Sequence, residues 1–192
     1  VPSLGNALGV AEVMRVLTGQ TTGPIVSVCA ASGGVLLATS RLTQDVQAGA
    51  DAIVRAIREG HAAERFGKMI AAMGGPVEFV EDWSRYLPEA PVIGEVAAEH
   101  AGYVTAIDGE ALGMAVVALG GGRVVESDQI NPAVGLSNVV RLGAKIGKGA
   151  PLAVIHAMRP DDAEGAAQAV RQAITISAQP VEVPELIIER VG

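Results

Sequence analysis

The sequence predicts an α+β fold: a helical N-terminal segment over residues 1–87, then a mixed α+β domain over 88–192 with a barrel-like strand motif. Three observations carry this. Apolar residues recur at helical spacing through the first segment. "YLPEAPV" then places Pro88 and Pro91 where they favour extended backbone and break helices. Beyond it the texture changes to β-branched residues and glycines, which suits about five short strands and two helices.

The elements follow in order. "GNALGVAEVMRVLTG" carries Val10, Val13, Met14 and Leu17 on one helical face, and Gly19 is a natural stop. "PIVSVCAASGGVLLATS" reads as a buried helix with Ser32 as a packing residue. "TQDVQAGADAIVRAIREG" has a stripe of Val46, Ala50, Ile53, Val54 and Ile57, an Asp51–Arg55 pair opposite, and Gly60 at its end. "HAAERFGKMIAAMGG" is a shorter helix. After the prolines come two strands with a turn near His100. A helix follows, capped by Asp108, with Leu112, Ala115, Val116 and Leu119 inward and Gly120 as its stop. "VVRLGAKIGKGAPLAVIHA" reads as strand, tight turn, strand. Asp161 opens a helix with Ala163, Ala167, Val170 and Ile174 on one side, and "PELIIERVG" is a final strand.

Composition bounds the function. Hydrophobic residues are 49% and charged residues 18%, enough for a sizeable core, while aromatics are only 3%. A net charge of −7 with no basic block argues against nucleic-acid binding. The single cysteine, Cys29, forbids an internal disulfide and suits a reducing cytoplasm. No charged residue lies between Arg15 and Arg41, yet Pro24, Gly33, Gly34 and several hydroxyls favour a helix of the protein interior over a membrane span. No signal peptide is visible, and a start at Val1 directly before helical pattern is the expected mark of a fragment.

The glycine runs invite a phosphate site and do not support one. Gly120, Gly121 and Gly122 follow a helix, at the carbonyl end, where the dipole repels anions. They read as a helix stop leading into a mobile loop, with Arg123 available to satisfy terminal carbonyls. "GAKIGKG" is one residue short of a P-loop and has no Ser or Thr after Lys148, so it reads as a turn with two solvated lysines. His61, His100 and His156 are scattered and give no zinc spacing. Glu81 and Asp82 read as a solvated face. Chemistry alone assembles no catalytic or phosphate-binding constellation. Glu12, on a mostly apolar helix, reads either as an exposed carboxylate or as a cation ligand with loop carbonyls.

"GNALGVAEVMRVLTG", "AERFGKMIAAMGGP", "ALGMAVVALGGGR", "INPAVGL" and "PLAVIHA", in order and at family spacing, resemble the pyrimidine nucleoside phosphorylases, thymidine phosphorylase in particular. The resemblance covers this chain from end to end but only the C-terminal part of the family's length. It implies part of an α/β enzyme in which residues 1–87 belong to the large α/β domain. It also implies a pentosyltransferase that cleaves thymidine with phosphate to thymine and 2-deoxyribose 1-phosphate, with no organic cofactor. The family's phosphate loop and its base-holding Arg, Ser and Lys have no match here, so the missing N-terminal half of the same protein is the implied partner, in an enzyme that is a homodimer. The resemblance further assigns a domain-closure loop over Arg123 to Gln129, with Gly120, Gly121, Gly122, Arg123 and Glu126. A monovalent or calcium cation would be bound by the Glu12 carboxylate and the Ser3 carbonyl. Gly9 stands where the family commonly has an acidic residue.

A fainter likeness joins Gly143, Ile146, Gly149, Leu152 and Ile155 to biotinyl and lipoyl carrier domains. A carrier needs a modified lysine at a hairpin tip, and no lysine occurs between Lys68 and Lys145. The likeness reads as a shared barrel-like packing motif without carrier function. The alternatives to thymidine phosphorolysis are a free-standing biotinyl- or lipoyl-like binding module, or a phosphorylase of broader pyrimidine nucleoside or nucleotide specificity.

Overall fold

The computed structural model describes residues 2–189; Val1 and the last three residues of the strand expected over 184–192 lie outside the described residues. In chain order the elements are β1 (Leu4–Gly5), α1 (Asn6–Leu17), α2 (Pro24–Thr39), α3 (Val46–Arg58), α4 (His61–Ala72), α5 (Trp83–Tyr86), β2 (Val92–Ala97), β3 (Gly102–Ile107), α6 (Gly109–Val116), β4 (Gly135–Ser137), β5 (Lys145–Ile146), β6 (Pro151–Ala157), α7 (Pro160–Ala173) and β7 (Ile174–Ser177). The class is α+β. Two compact units form, one from the residues up to Val10 with Leu87–Pro184, the other from Ala11–Tyr86 with the residues from Glu185.

The first unit holds two antiparallel sheets, ordered β1-β4-β6-β2 and β5-β3-β7. They do not close into a barrel, which corrects the barrel-like expectation. β2 and β3 flank the turn at His100 as expected but are no hairpin: β2 pairs with β6, and β3 lies between β5 and β7. β6 is paired on both edges, and Leu152, Ala153, Ile155 and Ala157 are buried. They join Val96, Val104, Leu136 and the inner faces of α6 and α7 in one apolar core. On α7 that face is Ala166, Val170 and Ala173, spaced at i, i+4 and i+7.

Four sequence readings from Val139 onward change. Val139 and Val140 are in no strand; one bond from the Val140 N–H to the Leu152 carbonyl (2.9 Å) holds them beside β6, and only Lys145–Ile146 pair as β5. Helix α7 begins at Pro160, one residue before Asp161, because proline suits a first turn that needs no N–H donor. Ile174, expected on that helix, opens β7 and pairs with Ile107. Residues 184–189 are irregular rather than a strand. β1 and β4 were not expected at all, and the helical reading of the first residues missed β1, whose Leu4 pairs with Leu136.

The second unit is helical. Asp45 caps α3, its carboxylate accepting from the Ala48 N–H (2.7 Å). Helices α2 and α3 pack through glycine. A Cβ on Gly34 would lie 2.5 Å from the Val46 carbonyl oxygen, and one on Gly49 would lie 2.7 Å from the Gly34 carbonyl oxygen, so only glycine permits this approach. Phe79 stands between Phe66 and Tyr86, with ring centroids 6.2 and 6.1 Å away. α2 is a helix but not a buried one: only Ala30 and Gly34 are buried, and Ser32, Val28 and Leu36 face solvent. On α3, Asp51 accepts from Gln47 Nε2 (2.9 Å) and makes no ion pair with Arg55. Among the described residues no helix is long and apolar enough to cross a membrane.

Candidate functional site

The glycine triplet sits where the sequence places it. Asp108 caps α6 by accepting from the Ala111 N–H (2.9 Å). Leu112, Ala115, Val116 and Leu119 are buried, and a π-helical turn over Val117–Gly121 continues the helix. Gly120 turns the chain out with φ 92°, a left-handed conformation that a side chain would resist. The turn ends in carbonyls, and both that matter are already used. The Gly120 carbonyl accepts from the Asn131 N–H (2.8 Å), and the Gly121 carbonyl accepts from Asn6 Nδ2 (3.0 Å). Arg123 is exposed and bonds to neither, which corrects the role expected for it.

The following loop is internally bonded, which the sequence reading did not foresee. Asp128 Oδ2 accepts from the N–H groups of Val124 (2.9 Å) and Val125 (3.0 Å), and the Asp128 N–H returns a bond to the Val125 carbonyl (3.1 Å). The amides of Val125 and Val124, in that order, hold the Asp128 carboxyl below the usual aspartate range, against a smaller burial effect. Glu126 is exposed on the same loop.

Ser3 is buried beside Pro2, whose carbonyl accepts from the Val139 N–H (2.9 Å). The Glu12 side chain is 13% exposed, and its carboxylate lies 3.6 Å from Arg15, whose guanidinium is 5.8 Å from the centre of the Trp83 ring. Ser3 belongs to the first unit and Glu12 to the second. Among the described residues no group of three or more His, Cys, Asp and Glu could hold a metal ion. Cys29 is a free, exposed thiol, and Lys145, Lys148, His61 and His100 are exposed.

His156 makes a side-chain hydrogen bond, while His61 Nδ1 lies 3.8 Å from the Glu59 carboxylate. The His156 Nε2 lies 2.8 Å from Ser137 Oγ across the β4–β6 pairing. Burial lowers its pKa, with the Glu89 charge acting the other way, so the ring is neutral at pH 7 and either donates to or accepts from the hydroxyl. Nothing in the spacing signalled this pair, because the register of two short strands creates it. An open cleft of about 510 Å³ lies beside α7, lined by Glu99, Glu164, Gln168, Arg171 and Gln172. Its charges are mixed, and Arg171 is partly engaged with the Ala97 carbonyl (3.3 Å). It brings together no nucleophile and base.

A comparison with known families recognises the part of the first unit that runs from β3 through α6, β4, β5, β6 and α7 to β7. Residues 103–177, from within β3 to the end of β7, match the family model for the pyrimidine nucleoside phosphorylase C-terminal domain. This stretch of the chain is therefore similar to the C-terminal domain of the pyrimidine nucleoside phosphorylases.

Proposed function

We propose that the chain is the C-terminal part of a thymidine phosphorylase, which transfers the 2-deoxyribosyl group of thymidine to phosphate and releases thymine. The observation that carries this reading is the family match over residues 103–177. The order of motifs from "GNALGVAEVMRVLTG" to "PLAVIHA" extends it towards thymidine. In this proposal the chain supplies scaffold and a closure loop (Gly120, Gly121, Gly122, Arg123 and Glu126), while the N-terminal half of the same protein supplies the phosphate and base sites of a homodimeric cytoplasmic enzyme. A cation would draw on the Glu12 carboxylate. Glu12 suits that role in being largely buried, and the Arg15 guanidinium at 3.6 Å opposes it.

The 192 residues alone do not turn over thymidine. Phosphorolysis needs phosphate aligned with C1′ of the sugar and donors for the departing base. Aligning two reactants supplies about 7–11 kcal/mol of a barrier, which is lost with either binding site. Each missing electrostatic donor costs ~3–4 kcal/mol more. The test is chromatographic detection of thymine from thymidine and excess phosphate. Release equal to buffer is expected; phosphate-dependent turnover that survives control for host enzyme contradicts the reading.

A further inference from the structure

We infer that Asp128 is a positioning residue, a latch that holds the loop from Gly121 to Ile130 in a preset shape, so that closure moves the loop without folding it. Three independent sets of bonds support this. The loop's ends are tied together by the Asn131 N–H on the Gly120 carbonyl (2.8 Å). Its first residue is tied to the β1–α1 junction by Asn6 Nδ2 on the Gly121 carbonyl (3.0 Å). Its tip is knotted by one carboxylate oxygen that accepts two consecutive amides, Val124 at 2.9 Å and Val125 at 3.0 Å. A base clamp alone would leave the tip free to sample many conformations. The carboxylate removes that freedom across Val124 to Asp128.

Ionisation gives the latch its strength. Hydrogen bonds to a carboxylate are roughly twice as strong as those between neutral groups. The charged side chains on the loop are Arg123 and Glu126; neither makes an ion pair with Asp128 among the described residues, and the two amides alone lower its pKa. The helix at the loop's base, α6, carries Glu110 in its first turn, at the end away from the loop, and Asn6 on α1 is neutral. The knot also leaves Val124 (77%) and Val125 (55%) exposed, so two apolar side chains are held outward instead of folding back onto their own loop. A loop ordered in advance loses less conformational entropy when it docks. Its part in closure rests on the function proposed above; the latch itself does not.

The sign of the pH dependence follows from the lowered pKa. The latch is complete above the ordinary aspartate value of about 3.9 and is lost as pH falls through the lower value of the folded chain. The experiment is amide NMR on the 192-residue chain, comparing wild type with Asp128→Ala and Asp128→Asn. Exchange of the Val124 and Val125 amides is expected to accelerate about tenfold in Asp128→Ala and less in Asp128→Asn, which keeps one acceptor oxygen, with Ala115 and Val116 in α6 unchanged. In wild type both loop amides should report a titration with a midpoint below about 3.9. Unchanged exchange in Asp128→Ala, or loop amides blind to the carboxylate's titration, overturns the latch. Because the readout is the amides themselves, failure of the thymidine reading leaves this result standing, and the reverse also holds.

Discussion

The two units are built from equally apolar sequence and use it differently. In the first, strands and helices surround one core, and Leu136, Leu152, Val96, Val104 and Val170 are essentially without solvent contact. In the second, α2 is the most apolar helix of the chain, yet Leu36 is 65% exposed, Met73 76% and Val77 81%. The difference is one of geometry. A strand in mid-sheet such as β6 hides its backbone on both edges and its side chains against a second layer. A helix hides only the stripe that faces a neighbour, and α2 is apolar all round, so much of it stays uncovered. Hydropathy therefore reports what could be buried, and topology decides what is.

Truncating one leucine in each unit should separate the two units most. Leu152→Ala should cost about 2–5 kcal/mol, the usual range for a buried leucine, while Leu36→Ala should cost under about 0.5 kcal/mol. Denaturant unfolding followed by circular dichroism measures both, and equal losses would erase the distinction. Next in size is Gly34→Val, which forces a side chain into the backbone of α3 and should cost about 1–3 kcal/mol. Gly9→Ala, where a Cβ meets open space within 4 Å, serves as its control and should be neutral or slightly stabilising. The smallest effect concerns His156. Its folded pKa lies below its unfolded one, so the unfolded chain binds the extra proton first, and stability declines as pH falls below about 6.5. His156→Gln should flatten that decline in thermal melts between pH 5 and 7.5; an unchanged slope would remove His156 as its source.

What the sequence disclosed and what it withheld divide along the same physical line. α3 and α6 were legible because each carries an aspartate cap, an apolar stripe and a glycine stop, all local signals. β1, β4 and β5 are two or three residues long, and their pairing depends on partners far away in the chain. β7 was hidden because α7 runs straight into it at Ile174, where Val170 and Ile174 continue a helical spacing without punctuation. At the candidate site, the glycines placed the loop, since Gly120 is a helix stop by backbone geometry. The Asp128 knot and the Ser137–His156 pair were not legible. Each depends on how the backbone folds back or on register, and neither leaves a pattern in spacing.

The strand-bearing unit should be the more stable of the two, which amide hydrogen exchange on the intact 192-residue chain measures residue by residue. The slowest exchange should fall within residues 101–176, in β3, β6 and the inner face of α7, with residues 44–73 exchanging faster through more frequent local opening. Slower exchange across 44–73 than throughout 101–176 would show that the helical unit is the more stable one.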